Sequence, residues 1–249
     1  MNPIEKFEIE RAELISLNGE NKGLKASALD FLTKSAEVNY SYNFSWLGRP
    51  IIQYPQDMIA MQELIWEVKP DLIIETGIAH GGSLIFSASM LALLEICGEI
   101  EKGEVLGIDI DIRAHNKEAI EAHPMSKKIT MFQGSSIDEE MIKKVHNFAK
   151  RGKRILVCLD SNHTHEHVLA ELQAYASLVS IGSYCVVFDT LVEDLPNEMW
   201  SDRPWGKGNN PKTAVWEFLK TNDDFVINEQ IDNKLLISVA SNGYLKKMK

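Results

Sequence analysis

Two aspartates sit where acidic side chains can do chemistry. Arg154–Asp160 (RILVCLD) and Ser183–Asp189 (SYCVVFD) are apolar runs that each end in Asp. Neither alternates, the pattern of strands buried on both faces. In a parallel sheet the carboxyl ends of neighbouring strands lie side by side on the ligand face. Asp160 and Asp189 therefore meet, and two carboxylates there suit a hard cation with oxygen ligands. Such a cation holds a hydroxyl, lowers its pKa and orients its oxygen. His163 follows closely enough to take the hydroxyl proton, so Asp160 and His163 are the candidate catalytic residues and Asp160 and Asp189 the candidate metal ligands. His163, His165 and His167 form an H-x-H-x-H run. A zinc site would need His163 and His167 on one helix face, and Thr164 is the better helix start.

A second constellation precedes it. The apolar run DLIIET leads into Glu75-Thr76-Gly77-Ile78-Ala79-His80-Gly81-Gly82-Ser83, a Gly-rich turn that lets backbone approach a ligand and offers a helix N-terminus. Glu75, Gly77, Ala79, His80, Gly81 and Ser83 are its candidate cofactor contacts. The next strand ends in Gly107-Ile108-Asp109, an acid placed for ribose hydroxyls. The third ends in Gln133-Gly134-Ser135-Ser136, where Ser135 and Ser136 flank an adenine or cap the following helix. Ala79 stands where G-x-G-x-x-G has its second glycine, and Glu75 would repel a pyrophosphate. The ammonium and sulfonium of S-adenosylmethionine tolerate that acid. The turn thus favours the methyl donor over a nicotinamide dinucleotide, with Asp160 on the border of the same cofactor.

These strand ends need a sheet to align them. From Asp71 onward, strands at 71–76, 104–110, 128–133, 154–160 and 183–189 alternate with helices at 84–96, 114–122, 138–149 and 165–178. That order predicts an α/β, Rossmann-like, doubly wound parallel sheet. After a helix at 212–220, FVINEQ and KLLISV (234–239) read as two more strands in an antiparallel C-terminal hairpin, completing seven. Helical spacing at 4–16 and 23–38 and an aromatic stretch from Tyr40 to Pro55 predict an N-terminal helical and aromatic appendage over 1–56, with the main domain over 57–249. The loop Leu191–Pro211 carries Trp200, Arg203, Trp205 and Lys207, a composition suited to a lid that stacks on sugar rings.

Composition narrows the partners. Among 249 residues, 36 are acidic and 26 basic, for a net charge of −10. That argues against nucleic acid, whose phosphates need clustered Lys and Arg, and against an anionic membrane surface. Leu84–Cys97 is too short to span a bilayer and contains Glu95. The N-terminus lacks the apolar core of a signal peptide. Cys97, Cys158 and Cys185 fit neither a disulfide framework nor a zinc ribbon, so a cytoplasmic location with reduced thiols is expected. The amphipathic N-terminal helices predict a homo-oligomer.

The motifs IIETGIAHGGS, GIDIDIRAHN, AIEAHP, CLDSNHTHEHVLAEL, VVFDT and PWGKGNNPKTAVWEFL, with SWLGRPI, P-Q-D and QELI upstream, occur in that order. Together they resemble the cephalosporin hydroxylase family of class I S-adenosylmethionine-dependent proteins, which includes rhamnosyl O-methyltransferases. The likeness runs from about Trp46 to Leu245. It implies a methyltransferase fold, the methyl donor and a magnesium ion beside it, with a sugar hydroxyl of a bacterial glycan, glycolipid or natural product as acceptor. In that family the metal ligands are the aspartate after strand four and an acidic pair after strand five. Asp160 and Asp189 match, but Phe188 stands where the pair's first acid is usual. His163, Thr190 or water is then expected to complete the site. A non-methylating accessory protein of an oxygenase system is the alternative, and Phe188 is the feature that would favour it.

Overall fold

The computed structural model describes residues 1–249. The chain opens with helices α1 (Pro3–Glu20) and α2 (Lys22–Glu37), then a hairpin of β1 (Phe44–Trp46) and β2 (Arg49–Ile51), then α3 (Pro55–Val68). Asn2 caps α1 in a capping box with Glu5, and Pro3 takes the first turn. The alternating part follows as β3 (Leu72–Thr76), α4 (Gly82–Ile96), β4 (Glu104–Asp109), α5 (Ala114–Glu121), β5 (Ile129–Gln133), α6 (Glu139–Ala149), β6 (Ile155–Leu159), α7 (His165–Tyr175) and β7 (Tyr184–Val187). The chain closes with α8 (Pro211–Thr221), β8 (Phe225–Ile227), α9 (Glu229–Leu235) and β9 (Tyr244–Lys247).

Seven strands form one sheet in the order β5-β4-β3-β6-β7-β9-β8. β3 through β7 are parallel, while β9 runs antiparallel to both β7 and β8. This is the expected doubly wound, Rossmann-like sheet. β3 and β6 are buried at every position, which explains their unbroken apolar runs. One core lies between the sheet and α3, α4 and the hairpin; the other lies between the sheet and α6, α7 and α8. Winding reverses between β3 and β6, so the ligand crevice opens at their carboxyl ends.

The two last strands pair antiparallel as expected, but the second of them is not the segment expected. KLLISV is not a strand: its first residues end α9, Leu236 turns the chain at φ 59°, and the last strand is β9. β9 inserts between β7 and β8, and the chain reaches it from Ile227 by way of α9 and the segment up to Tyr244. An apolar run of that length has no periodicity to tell strand from covering loop, and this one covers α3. Ser238 Oγ and Val239 N–H donate to the buried Asp57 carboxylate at 2.6 and 3.0 Å, and Tyr244 O–H donates at 2.7 Å.

The N-terminal segment packs into the same core. Leu32, Ile51 and Tyr54 belong to the α3–α4 cluster. Trp46 stacks edge-on against Phe86 with centroids 4.9 Å apart, and its indole N–H donates to Ser89 Oγ at 2.9 Å. α1 lies along α9, so close that a Cβ on Gly19 would come within 2.5 Å of Asn233. The hairpin sits directly on the start of α4: a Cβ on Gly82 would lie 2.1 Å from the Pro50 carbonyl oxygen. Gly82→Ala therefore overpacks a backbone contact and is expected to cost about 1–3 kcal/mol. Urea denaturation followed by circular dichroism checks the cost, and a changed Trp emission checks that the hairpin is the element displaced.

Candidate active site

The Gly-rich turn joins β3 to α4 and is shaped by its glycines. Gly77 has φ 88° and Gly81 φ 80°, both in the left-handed region. A Cβ on Gly77 would lie 2.0 Å from the Asp160 carbonyl oxygen, so this glycine lets the turn close onto the end of β6. Ala79 also takes a left-handed φ of 45°. The turn is braced from outside. Arg49 Nε donates to the His80 carbonyl at 3.0 Å, Arg49 Nη2 donates to Asn116 Oδ1 at 3.1 Å, and Asn116 Nδ2 donates to the Ala79 carbonyl at 2.9 Å. His80 thus serves the turn through its backbone. Asp109, at the end of β4, accepts from Ile78 N–H at 2.8 Å and from Ala79 N–H at 3.3 Å.

A groove beside this turn is lined by Gly77, Asp109, Gly134, Ser135, Ser161 and Asn162, among others. Neither Ser135 nor Ser136 caps α6, whose N-cap is Asp138. Ser136 faces inward. Its hydroxyl and that of Ser161 donate to Glu171 Oε1 at 2.6 and 2.7 Å, with His167 Nε2 within 3.1 and 3.2 Å of the same two hydroxyls.

Across the β3 end from that groove, carboxylates gather. Glu75 is buried, accepts from the Ser83 hydroxyl, and has its pKa pushed up to about 7 because burial outweighs that hydrogen bond. Asp57 reaches about 6, again through burial, which three donors only partly offset. Burial and the facing charges of Asp189 and Glu75 hold the Asp160 carboxyl well above the usual carboxylate range.

Asp160, His163 and Asp189 offer ligand atoms that all lie within 4.8 Å of one another. His163 Nε2 is 3.2 Å from Asp189 Oδ2, and Trp205 of the long loop packs edge-on against the imidazole at 4.7 Å. Asp189 has φ 54°, a strained conformation for a residue with a Cβ. The fit to a divalent cation follows from this donor set: two carboxylates, of which Asp189 raises the pKa of Asp160, one imidazole, and no Lys or Arg among them. Of the expected completing ligands, His163 stands in the cluster; the Thr190 hydroxyl is buried and donates to the Ser241 carbonyl at 2.7 Å. Phe188 is buried in the core. The three histidines go separate ways, His165 to Thr213 and Glu217 and His167 to the serine pair, so no H-x-H-x-H metal site forms.

A family model described as rhamnosyl O-methyltransferase/CmcI matches residues 38–248. The chain belongs to that family. A rhamnosyl O-methyltransferase of Mycobacterium tuberculosis (strain ATCC 25618 / H37Rv) is 28% identical over 193 residues, spanning 76% of this chain and 72% of that protein. One of Mycobacterium leprae (strain TN) is 27% identical over 161 residues, spanning 64% and 66%. Among solved structures, a Mg-SAM form of CmcI aligns with TM-score 0.56 and 19% identity over 84% of this chain and 78% of that one. A CmcI apo-structure aligns with TM-score 0.57 over 84% and 77%. At that identity the solved structures establish the shared fold.

Four residues at this site have no chemical motif in the sequence: Arg49, Gln53, Asp57 and Asn116. For Arg49, Asp57 and Asn116 the only signal lies in SWLGRPI, P-Q-D and GIDIDIRAHN, which carry family likeness without a stated role, and Gln53 stands outside these motifs. The raised pKa of Glu75 has a consequence for stability. Its folded value lies above the unfolded one, so its contribution is present below about pH 4.5 and is lost as pH rises through about 7. Glu75→Gln keeps the shape and removes the buried charge. It is expected to stabilise the ligand-free protein by roughly 2–3 kcal/mol at pH 8 and by little at pH 4.5, read by urea denaturation at the two pH values.

Proposed function

We propose that this protein transfers a methyl group from S-adenosylmethionine to a sugar hydroxyl of a bacterial glycan, glycolipid or glycosylated natural product. The observation that carries this is the meeting of the groove beside the Gly-rich turn with the Asp160–His163–Asp189 cluster. When bound, the donor supplies the methyl cation equivalent and Mg²⁺ supplies Lewis-acid polarisation of the hydroxyl. Everything else is asked of the chain.

Asp109 and Ser135 are the polar groups for ribose and adenine. The turn from Gly77 to Gly81 presents backbone to the ligand. Glu75 and Asp160 lay negative charge along the path of a sulfonium, which a cationic donor needs and a pyrophosphate would not tolerate. Asp160 and Asp189 are the metal carboxylates. His163 Nε2 stands 3.2 Å from Asp189 Oδ2, close enough for its imidazole to serve either as the third donor of the cluster or as the base for the hydroxyl proton. Trp205, with Arg203 placed 5.6 Å over its ring, walls the mouth with an aromatic face suited to a sugar ring. Phe188 favoured the accessory-protein reading only as a lost ligand. The imidazole of His163 supports a third donor in the cluster and weakens that ground.

No helix is long and apolar enough to cross a membrane. A cytoplasmic location and a homo-oligomer belong to this proposal. The oligomer is supported by Ile4, Phe7, Leu14 and Leu17, left exposed on α1, and sedimentation velocity tests it. For the chemistry, the experiment is methyl transfer to a panel of rhamnosylated and other glycosyl acceptors across Mg²⁺ concentrations. Asp160→Asn is expected to abolish metal dependence and most turnover. His163→Ala is expected to lower kcat by about a hundredfold or more while leaving cofactor affinity unchanged. Full activity in EDTA overturns the metal role and leaves His163 as a metal-free base. Tighter binding of NAD than of S-adenosylmethionine overturns the methyltransferase reading itself.

A further inference from the structure

A second, smaller cavity lies between α3, α4 and the ends of β3, β6 and β7. Its polar walls are Gln53, Asp57, Glu75, Ser83, Ser87 and Asp160, and no Lys or Arg lines it. The enclosed space is about 30 Å³, room for a group the size of a water or an ammonium. Gln53 is only 7% exposed. Its Nε2 donates to Asp160 Oδ2 at 3.4 Å, whereas its Oε1 is buried with no partner. A buried acceptor left unpaired is rare in folded proteins and asks for a donor. Asp57 already accepts three hydrogen bonds, from Ser238, Val239 and Tyr244. The acceptors still open to a guest are Gln53 Oε1 and the carboxylates of Glu75 and Asp160.

The position of this cavity says what the guest is attached to. The groove lined by Gly77 and Asp109 and the cavity lined by Glu75 and Gln53 flank the end of β3, with Gly77 two residues after Glu75. A ligand with adenosine in the groove would have its other end on the side of that strand end where the cavity lies. We propose that Gln53 is a cofactor-binding residue whose carbonyl oxygen, together with Glu75, receives the ammonium of the methyl donor's amino-acid end. The proposal rests on the methyl-donor reading above and adds to it a specific atom and a specific ligand group. An ammonium supplies three N–H donors and cancels charge where three acids face one another. Ser83, already donating to Glu75, keeps that carboxylate aimed across the cavity.

The test is calorimetry in EDTA, which separates ammonium binding from any effect of Gln53 on the metal through Asp160. Three probes share adenosine and the sulfur: S-adenosylhomocysteine, its analogue lacking only the amine, and 5′-methylthioadenosine, which lacks the amino-acid part. Wild type is expected to bind S-adenosylhomocysteine at least about tenfold more tightly than the deaminated analogue. Gln53→Met, of similar length, is expected to weaken S-adenosylhomocysteine by roughly tenfold to a hundredfold, the range for a hydrogen bond to a charged group. Its affinity for 5′-methylthioadenosine should stay within twofold. Unchanged S-adenosylhomocysteine affinity in the variant, or equal losses for all three probes, overturns the proposal. If the variant fails to fold, the wild-type comparison of amine and deaminated probes decides alone, equal affinity being the overturning result. Wild type binding none of the probes overturns the methyl-donor reading, and this proposal with it.

Discussion

Negative charge without a resident counter-charge is the constraint around which this molecule is built. Asp57, Glu75, Asp160 and Asp189 converge on one end of the sheet, and each raises the pKa of a neighbour or is raised by burial. Concentrating carboxylates away from water is costly unless a cation completes them. The fold concentrates them at the switch point between β3 and β6, where an open α/β sheet binds its ligands. The protein thus holds an arrangement that is poor for its own stability and good for cationic guests. A sulfonium, an ammonium and a divalent metal are three such guests, and they are the ones its proposed chemistry requires.

Holding that arrangement falls to parts of the chain far from the central strands. The hairpin braces the cofactor turn through Arg49 and the His80 carbonyl. The segment before α3 delivers Gln53 and Asp57 to the crevice. The segment between α9 and β9 is anchored to Asp57 by Ser238 and Val239, and from there it supports the residues around Asp189. Leu191 N–H donates to the Val239 carbonyl at 3.2 Å, Thr190 O–H donates to Ser241, and Val187 N–H donates to the Gly243 carbonyl at 2.9 Å. The left-handed backbone of Asp189 is sustained by these flanking bonds, as strain at a working residue must be. The C-terminal segment therefore meets this end of the sheet through the buried carboxylate of Asp57 on α3.

The departure at Phe188 becomes intelligible in this frame. A further carboxylate at that position would stand beside Glu75, Asp160 and Asp189 and add to an already uncompensated field. Phe188 instead fills the core against α3 and α4, and the imidazole of His163 stands beside the remaining pair. A neutral imidazole brings a donor atom without a charge, so the cluster keeps three potential ligands with one acid fewer. Trp205 against the ring limits where that imidazole can point, and couples the long loop to the chemistry.

Much of this was legible in the residues alone, for a local reason. Buried parallel strands write themselves as unbroken apolar runs, and each run here ends in an acid at the ligand side of the sheet: Glu75 before the turn, then Asp109, Asp160 and Asp189. Strand order and the conjunction of those acids followed from the alternation of strands and helices. Other features depend on contacts between distant segments. KLLISV is apolar whether it forms a strand or covers α3, and only the contacts of Ser238 and Val239 with Asp57 in the assembled fold decide for the latter. Ser135 and Ser136 look alike in sequence, yet Glu171 on α7 draws Ser136 inward. Gln53 and Asp57 carry no motif of their own and gain their roles from the cavity that α3, α4 and three strand ends enclose together. Local chain chemistry determined the sheet and the acids at its edge. Tertiary packing decided which of those groups are paired and which are left open to a ligand, because burial and hydrogen-bond partners are properties of the assembled fold.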